Sequence, residues 1–338
     1  MMNKIKKNII SYSLMFIGMI MLLLGIVISI SLGAKQIDFS TIIKSLFINS
    51  NDIDIKIIRD VRIPRAFCAA LVGGFLAVSG AIIQGITRNP IADPSVMGIT
   101  QGATFMIAVA FVLQIVYPDL VIGSFGIMIF AFLGASISGF LVYFISSRGV
   151  KKVDPVKLAL AGTAMGTLLI SLAMGISMYF NLAQQLSFWI SGGLVSAKWE
   201  GLKLLLIVGG VAFIGAMIIS PKITILSLGE EVAIGLGEKT DKVRLIGIII
   251  VIFLTGASVS VAGNIVFVGL IIPQIVKAIV GPDYKHIIPN SMILGGVLLV
   301  YSDIMARMIN PPYEMPIGSL TSLLGVPIFI YLVRKDKK

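Results

Sequence analysis

The stretch RIPRAFCAALVGGFLAVSGAIIQGITRNPIADP, residues 62–94, decides the fold class. Between its two arginines and its Asn-Pro turn lie residues that are almost all apolar or small. The run has about the twenty residues that an α-helix needs to cross the hydrocarbon core of a bilayer. Its glycines and alanines allow close approach of neighbouring helices. We therefore expect a tightly packed membrane-spanning helix, and then a turn over residues 88–98 held between helices.

The rest of the chain has the same composition. Of its 338 residues 57% are hydrophobic and 13% are charged, whereas soluble domains carry roughly 25% charged residues. About ten apolar runs predict an all-α polytopic membrane protein with about ten transmembrane helices. The predicted spans are residues 8–32, 62–86, 99–117, 121–146, 157–180, 200–220, 244–263, 267–279, 288–308 and 317–333. The eighth is short and contains Gly269 and Pro273, so we expect it to pack against protein.

The distribution of positive charge predicts the orientation. Ten spans put both termini on one side, and that side then carries twice as many of the 27 cationic residues as the other. Cationic loops mark the cytoplasm, so we expect both termini to be cytoplasmic. The first run is longer than the core of a signal peptide and is expected to remain as an anchor. The segment 33–61 is too short for a core of its own, so residues 1–338 are expected to form one transmembrane domain.

Patterns that support catalysis or metal binding are missing. The single cysteine, Cys68, lies in an apolar run, and the single histidine, His286, has no Cys or His beside it. We expect no metal site and no cofactor on this chain. The segment 235–240 resembles a phosphate-binding loop, but Glu238 interrupts the Gly-Lys-Thr triplet that such a loop needs. We therefore expect no enzyme activity and no ATP hydrolysis. The net charge of +11 fits cytoplasmic loops beside membrane lipid better than nucleic-acid binding.

Ionisable residues inside the predicted spans are rare. Asp303 is the one carboxylate clearly within a span, and Arg307 follows it at i+4. We expect the two side chains to pair, because a pair lowers the cost of a charge in the membrane. Ion-coupled secondary transporters use intramembrane acids for coupling. That class remains an alternative that the sequence does not favour.

Three segments are more specific than generic membrane sequence. The first is residues 62–98, with Arg62-Ile63-Pro64-Arg65 at its start and Asn89-Pro90-Ile91-Ala92-Asp93-Pro94 near its end. The second is LGEEVAIGLG at 228–237. The third comprises VAGN at 261–264, FVGLIIP at 267–273, SD at 302–303, AR at 306–307, EMPIG at 314–318 and GVP at 325–327.

Together these segments resemble the FecCD-like permeases of type II ABC importers, which carry iron-siderophore complexes, haem or cobalamin. The resemblance runs in order from about residue 59 to 333. The sequence departs from the family pattern at Asn264, Gln274 and Lys277, where Pro, His and Arg are usual. Roles of those family side chains therefore do not transfer.

The resemblance implies a permease subunit in a bacterial cytoplasmic membrane and the partners that serve it. These are a second permease subunit (in a homodimer or a heterodimer), two ATP-binding subunits and an extracytoplasmic substrate-binding protein. It favours a ferric siderophore as the cargo, with haem or cobalamin as alternatives.

The resemblance also implies roles for particular residues. Docking of the substrate-binding protein is assigned to Arg62, Arg65 and Arg307, with contact to lipid headgroups as the alternative. Coupling to the ATPase is assigned, within a cytoplasmic loop over 221–243, to Gly229, Glu230, Glu231, Ala233, Gly235 and Gly237. In this loop Gly235 and Gly237 are expected to allow a reversal after a short helix; a plain solvated connector is the alternative. A cytoplasmic gate is assigned to Val153, Asp154, Pro155 and Val156.

Overall fold

The computed structural model describes residues 2–33, 35, 37–47, 52–147, 155–195 and 197–335. Within these ranges every regular element is helical, and eight helices are long and apolar enough to cross a membrane. The predicted all-α polytopic class is confirmed. The helices are α1 (Met2–Ser31), α2 (Phe39–Phe47), α3 (Ile53–Lys56), α4 (Ile63–Thr87), α5 (Ile99–Val116), α6 (Ser124–Ser147), α7 (Pro155–Tyr179), α8 (Ala183–Ser191), α9 (Trp199–Leu204), α10 (Gly210–Ser227), α11 (Glu230–Gly235), α12 (Thr240–Ala262), α13 (Val268–Val280), α14 (Tyr284–Met308) and α15 (Ile317–Lys335).

Two of the long helices contain a π-helical turn. Residues Ile57–Arg62 join α3 to α4 in one helix of 35 residues, and Leu205–Gly209 join α9 to α10 in one of 29. The first of these helices therefore begins at Ile53, nine residues before the predicted start. Helix α13 and the apolar part of α15, Ile317–Ile330, are shorter than the eight spans and bring the number of apolar helices to ten.

Helix α4 lies at the centre of the bundle, and most of its side chains are buried. It packs against α14, α12, α13 and α10. The contacts with α13 and α14 are backbone against backbone. A methyl group added to Gly80 would lie 1.8 Å from the carbonyl oxygen of Gly269, and one added to Gly73 would lie 2.2 Å from that of Gly295. The packing of small residues predicted for this helix is confirmed.

The backbone is irregular between α12 and α13, over residues 263–267. This segment packs against the end of α8 and the start of α15. Asn264 donates its N–H to the carbonyl of Trp189 (3.5 Å). Beside the segment, Gly193 donates to the carbonyl of Ala262 (2.9 Å) and Ile317 to that of Gly192 (3.2 Å). Non-helical backbone is tolerated inside a membrane bundle when protein groups satisfy it in this way.

The turn after α4 is held by two glutamines. Nε2 of Gln274 on α13 donates to the carbonyl of Pro90 (3.1 Å) and to Oε1 of Gln84 (2.6 Å). Nε2 of Gln84 donates in turn to the carbonyl of Ala92 (3.3 Å). The prediction of a turn fixed between helices is therefore confirmed, and Gln274, one of the departures from the family pattern, is part of the reason.

Candidate functional site

Five charged side chains form a cluster at the C-terminal end of α1, which we call the arginine cluster: Arg62, Arg65, Asp303, Arg307 and Glu314. Arg65 is its centre. Nε and Nη2 of Arg65 donate to Oδ1 of Asp303 (3.0 and 2.8 Å), while Nη1 and Nη2 donate to the two carboxylate oxygens of Glu314 (2.9 and 2.8 Å). The Asp303 side chain has no exposed surface, whereas 32% of the Glu314 side chain is exposed.

The other two arginines bind the end of α1. Nη1 of Arg62 donates to the carbonyls of Ile30 and Ser31 (both 2.9 Å). Arg307 donates to the carbonyls of Ser29 (3.2 Å) and Leu32 (3.0 Å). The last carbonyls of a helix have no partner within the helix, and cations stabilise that end of its dipole. These arginines therefore fasten α1 to α4 and α14.

The pair predicted from the i+4 spacing is present: Nη2 of Arg307 lies 3.1 Å from Oδ2 of Asp303. What the sequence did not indicate is the contribution of Glu314. It follows Asn310-Pro311-Pro312-Tyr313 between two predicted spans, and the signals were an acidic residue beside a span and its place in the segment EMPIG.

The structure brings the three predicted docking arginines together, and it places all three in contacts within the chain. Their residues are only 5–6% exposed. A carboxylate of another protein would reach one of these guanidinium groups by replacing an internal acceptor. Of the two carboxylate acceptors, Glu314 is the more exposed, at 32% against 0% for Asp303. The docking role of Arg62, Arg65 and Arg307 stays a prediction.

The predicted coupling segment lies near the other end of α14, where Thr224 of α10 contacts Asp283 and Tyr284; α14 has 25 residues and is about 37 Å long. Its short helix is α11, which Glu230 and Glu238 anchor. Nη2 of Arg244 donates to Oε2 of Glu230 (3.0 Å), with the arginine side chain 4% exposed, and Lys222 lies 3.9 Å from Glu238. Ala233 is fully buried beneath the helix.

The outer surface of this segment is apolar. Four large hydrophobic side chains are 46–63% exposed: Leu228, Val232, Ile234 and Leu236. Glu231 is exposed beside them. A helix of six residues is not stable by itself in water, so its anchors hold a preformed apolar surface toward the surroundings.

Two details of the predicted loop are wrong. Residues 221–227 belong to α10 and 240–243 belong to α12, so the connector is only 228–239. Helix α10 contains Pro221 and continues beyond it to Ser227. The backbone reverses at Gly229 (φ 135°) and Gly237 (φ 81°), both in the region that favours glycine. Gly235 is the last residue of α11 and does not have a positive φ.

The predicted gate is described only in part. Val153 and Asp154 lie outside the described residues, and Pro155 is the first residue of α7. Val156 is 65% exposed and lines a cavity of about 390 Å³ together with Asp93 and Met97 of the turn after α4. The gate role of this segment stays a prediction.

In the described part of the chain, ten apolar helices surround irregular backbone and a buried cluster of charged side chains, an arrangement typical of a membrane permease. The model of the FecCD transport family matches residues 21–335, and the chain belongs to that family. It is a multi-pass membrane protein and a transport subunit of an ABC transporter, a kind of subunit that is not itself catalytic.

Three relatives are named for iron compounds. The chain is 47% identical over 322 residues to the iron(3+)-hydroxamate import system permease protein FhuB of Bacillus subtilis, covering 95% of this chain and 83% of that protein. It is 32% identical to the ferric enterobactin permease protein FepD of Escherichia coli, with 95% and 94% covered. It is also 32% identical to the hemin transport system permease protein HmuU of Yersinia pestis, with 96% of each covered.

Two solved structures share the fold of this chain. A metal-chelate type ABC transporter in an inward-facing conformation matches with a TM-score of 0.81 and 27% identity, covering 96% of this chain and 99% of that one. PsaBC from Streptococcus pneumoniae shares the fold, with a TM-score of 0.59 and 18% identity over 82% of this chain and 92% of that one.

Proposed function

We propose that this permease carries a ferric chelate into the cell, most specifically a ferric siderophore. The chelate is delivered by an extracytoplasmic substrate-binding protein, and ATP is hydrolysed on separate subunits. The relatives named for ferric hydroxamate and ferric enterobactin support this cargo. The hemin permease among the relatives keeps haem as a second candidate.

The observation that carries the proposal is the exposed apolar surface of α11. Large apolar side chains that a fold holds out on an anchored helix mark a surface for a partner. We assign that partner as the ATP-binding subunit, with Val232, Ile234 and Leu236 entering a groove on it. Glu230 and Glu238 then serve as anchors of α11 to its own chain, while Glu231 is free to contact the partner.

The remaining partners follow from the same proposal. Residues 1–338 form one permease domain with both termini in the cytoplasm, and two such domains, identical or homologous, enclose the path. The substrate-binding protein docks over the arginine cluster, where Glu314 is the exposed acceptor. Residues 153–156 contribute to the inner gate. No cofactor or resident metal is needed on this chain for these roles.

The test is reconstitution of the full transporter. The permease is coexpressed with its candidate ATP-binding subunits, purified in detergent and placed in proteoliposomes with the loaded substrate-binding protein. We expect the ATP-binding subunits to co-purify, and ⁵⁵Fe uptake to require ATP and to persist without a proton or sodium gradient.

Other results would assign another function. Uptake that collapses with the ion gradient and needs no ATP-binding subunit would show a secondary transporter. ATP-dependent uptake of haem in place of ferric siderophores would keep the importer and replace the cargo.

A further inference from the structure

The short helix α11 is joined to its neighbours through two glycines. Gly229 (φ 135°) precedes it and Gly237 (φ 81°) lies just after it. An added methyl group would meet no atom within 4 Å at Gly237, and only a side-chain carbon of Val232 (3.9 Å) at Gly229. Glycine backbone rotates easily, and a few such residues can absorb a motion as a hinge. A displacement of α11 would therefore be lost at these glycines unless another contact passed it on.

Two ion pairs connect α11 to its neighbours crosswise. Glu230 begins α11 on the side of the loop that follows α10, yet it pairs with α12: Nη2 of Arg244 donates to Oε2 of Glu230 (3.0 Å). Glu238 lies at the other end, just before α12, yet its carboxylate is 3.9 Å from Nζ of Lys222 on α10. Each end of α11 is therefore tied to the helix that it does not adjoin in the chain.

The pair between Arg244 and Glu230 is the stronger of the two ties. The Arg244 side chain is 4% exposed, whereas the Lys222 side chain is 55% exposed. Opposite charges attract more strongly away from water, and an exposed pair is screened and contributes little. Arg244 therefore supplies most of the connection between α11 and the helices beside it.

Arg244 lies on a helix that can pass a displacement on. Helix α12 runs from Thr240 to Ala262 without a proline, and most of its side chains are buried. It packs against α4, α6 and α10. About 27 Å along the helix from Arg244, the carbonyl of Ala262 accepts the N–H of Gly193 beside the end of α8. A shift of α12 would therefore reach the irregular backbone at residues 263–267.

We propose that Arg244 is a positioning residue for transport: through Glu230 it makes α12 follow α11 when the ATP-binding subunits displace that helix. The inference rests on the proposed function and adds to it the side chain that transmits the motion. Without the ion pair, Gly229 and Gly237 let α11 move alone. ATP is then hydrolysed without transport of the cargo.

The test measures iron imported per ATP hydrolysed by the whole reconstituted transporter. Arg244→Met leaves the apolar surface of α11 unchanged, so the ATP-binding subunits should still co-purify and hydrolyse ATP. We expect the amount of ⁵⁵Fe imported per ATP to fall about tenfold, which is within the range of coupling between residues of one ion pair. A role in stability alone would lower the yield of assembled transporter and leave this ratio unchanged in the complexes that remain.

Two further variants test the ion pair itself. Glu230→Gln breaks the pair from the α11 side and carries the test if Arg244→Met does not fold. Combined with Arg244→Met it should lower the ratio no further than either change alone, because residues that act through each other are not additive. Arg244→Lys keeps the positive charge but loses the planar fork of donors, and it should restore part of the ratio.

Lys242→Met is the matched control. Lys242 is an exposed cation on the same turn of α12, and it forms no ion pair with a residue that the structure describes. The iron imported per ATP by this variant should equal that of the wild type.

Four outcomes would overturn the inference. An unchanged ratio in Arg244→Met and Glu230→Gln would show that α12 follows α11 without this pair. An equal loss in Lys242→Met would show that the effect is not specific to the pair. Loss of the ATP-binding subunits from all the variants of Arg244 and Glu230 would show that the pair only supports the surface that binds them. Absence of ATP-dependent uptake by the wild type would overturn the proposed function together with the inference.

Discussion

Arg65 binds two carboxylates of very different accessibility. Asp303 is fully buried and also pairs with Arg307, so removing it would leave two buried guanidinium groups with one carboxylate fewer. Removing one partner of a buried pair costs about 3–5 kcal/mol. Glu314 is one-third exposed and touches Arg65 from the outside. The buried acceptor therefore serves stability, whereas the exposed one is replaceable.

Glu314→Gln should strengthen binding of the substrate-binding protein. Glu314 competes with any incoming carboxylate for Arg65, and the amide is a weaker competitor than the carboxylate. We expect the dissociation constant to fall several-fold, measured by titrating labelled binding protein onto the detergent-solubilised transporter.

Glu200→Gln is the control for this substitution. Glu200 is an exposed carboxylate in α9 on the same predicted side and forms none of the arginine pairs found in the described residues. Its replacement should leave the dissociation constant unchanged. Weaker binding by Glu314→Gln would show that Glu314 itself contacts the partner. It would refute the competition between Glu314 and a carboxylate of the binding protein for Arg65.

At the scale of single residues, the sequence predicted the side-chain contacts that depend on local spacing along a helix. The Asp303–Arg307 pair follows from the 3.6-residue period of a helix. The contact between Arg65 and Asp303 joins residues 238 positions apart, and no local pattern reports which helices become neighbours. For that reason Arg62 and Arg65 were expected to face a partner and were found to be occupied within the chain.

At the scale of elements, the predicted spans agree with the helices wherever apolar runs end at polar loops. The two largest differences, of nine and seven residues, have simple causes. The start of the first π-containing helix was missed because Lys56, Arg59 and Asp60 interrupt the apolar pattern although the backbone stays helical. The end of α10 was placed seven residues too early because the apolar run is followed by Pro221 and Lys222, although the helix continues through both to Ser227.

Gly80→Ala should destabilise the bundle. The added methyl group would lie 1.8 Å from the carbonyl oxygen of Gly269, so α4 and α13 would have to separate. We expect a loss of about 2 kcal/mol or more. Cys68 is fully buried in α4, so a thiol-reactive dye will report unfolding during a thermal scan in detergent.

Gly210→Ala provides the comparison for Gly80. An added methyl group at Gly210 would meet no atom within 4 Å, so replacing this helical glycine by alanine should keep or slightly raise stability. Equal midpoints for the two variants would contradict the close contact between α4 and α13.

Leu236→Asp should detach the ATP-binding subunits. The side chain is 63% exposed in the permease alone, so the fold should tolerate the change, whereas a carboxylate buried in an apolar groove would be desolvated without a partner. We expect at least a tenfold loss of co-purified ATP-binding subunit on a quantitative gel.

Lys285→Asp is the counterpart on α14. It introduces the same carboxylate at an exposed position on the same predicted side of the membrane, and co-purification should persist. If Leu236→Asp retained its partner, α11 would be the plain solvated connector that was the alternative.

At the scale of the whole molecule, the orientation rests on charge alone. We expect Leu236→Cys to react with a membrane-impermeant maleimide only from the cytoplasmic side, and Tyr313→Cys only from outside. Both positions are largely exposed, at 63% and 74%, and the native Cys68 is buried and should stay unlabelled. Labelling of both from the same side would contradict the ten-span topology.

The family could be predicted from the sequence because its segments keep their order and spacing over most of the chain. The polar cavity lined by Gln101, Thr163 and Asn264 could not, because these residues come from separate stretches of the chain. Each stretch alone is a threonine, a glutamine or an asparagine in an apolar run. Only the packing of α5 against α7 brings them to one place.

The fastening of α1 also sets an order of assembly during synthesis. Arg62 follows Ser31 by 31 positions and can bind its carbonyl early, whereas Ser29 and Arg307 are 278 positions apart. At about 5–20 residues per second, α1 therefore waits roughly 15–60 seconds in the bilayer for its second guanidinium group. A nascent chain that stops before α14 leaves the carbonyls of Ser29 and Leu32 without Arg307, and quality-control proteases should recognise that end of the unfinished protein.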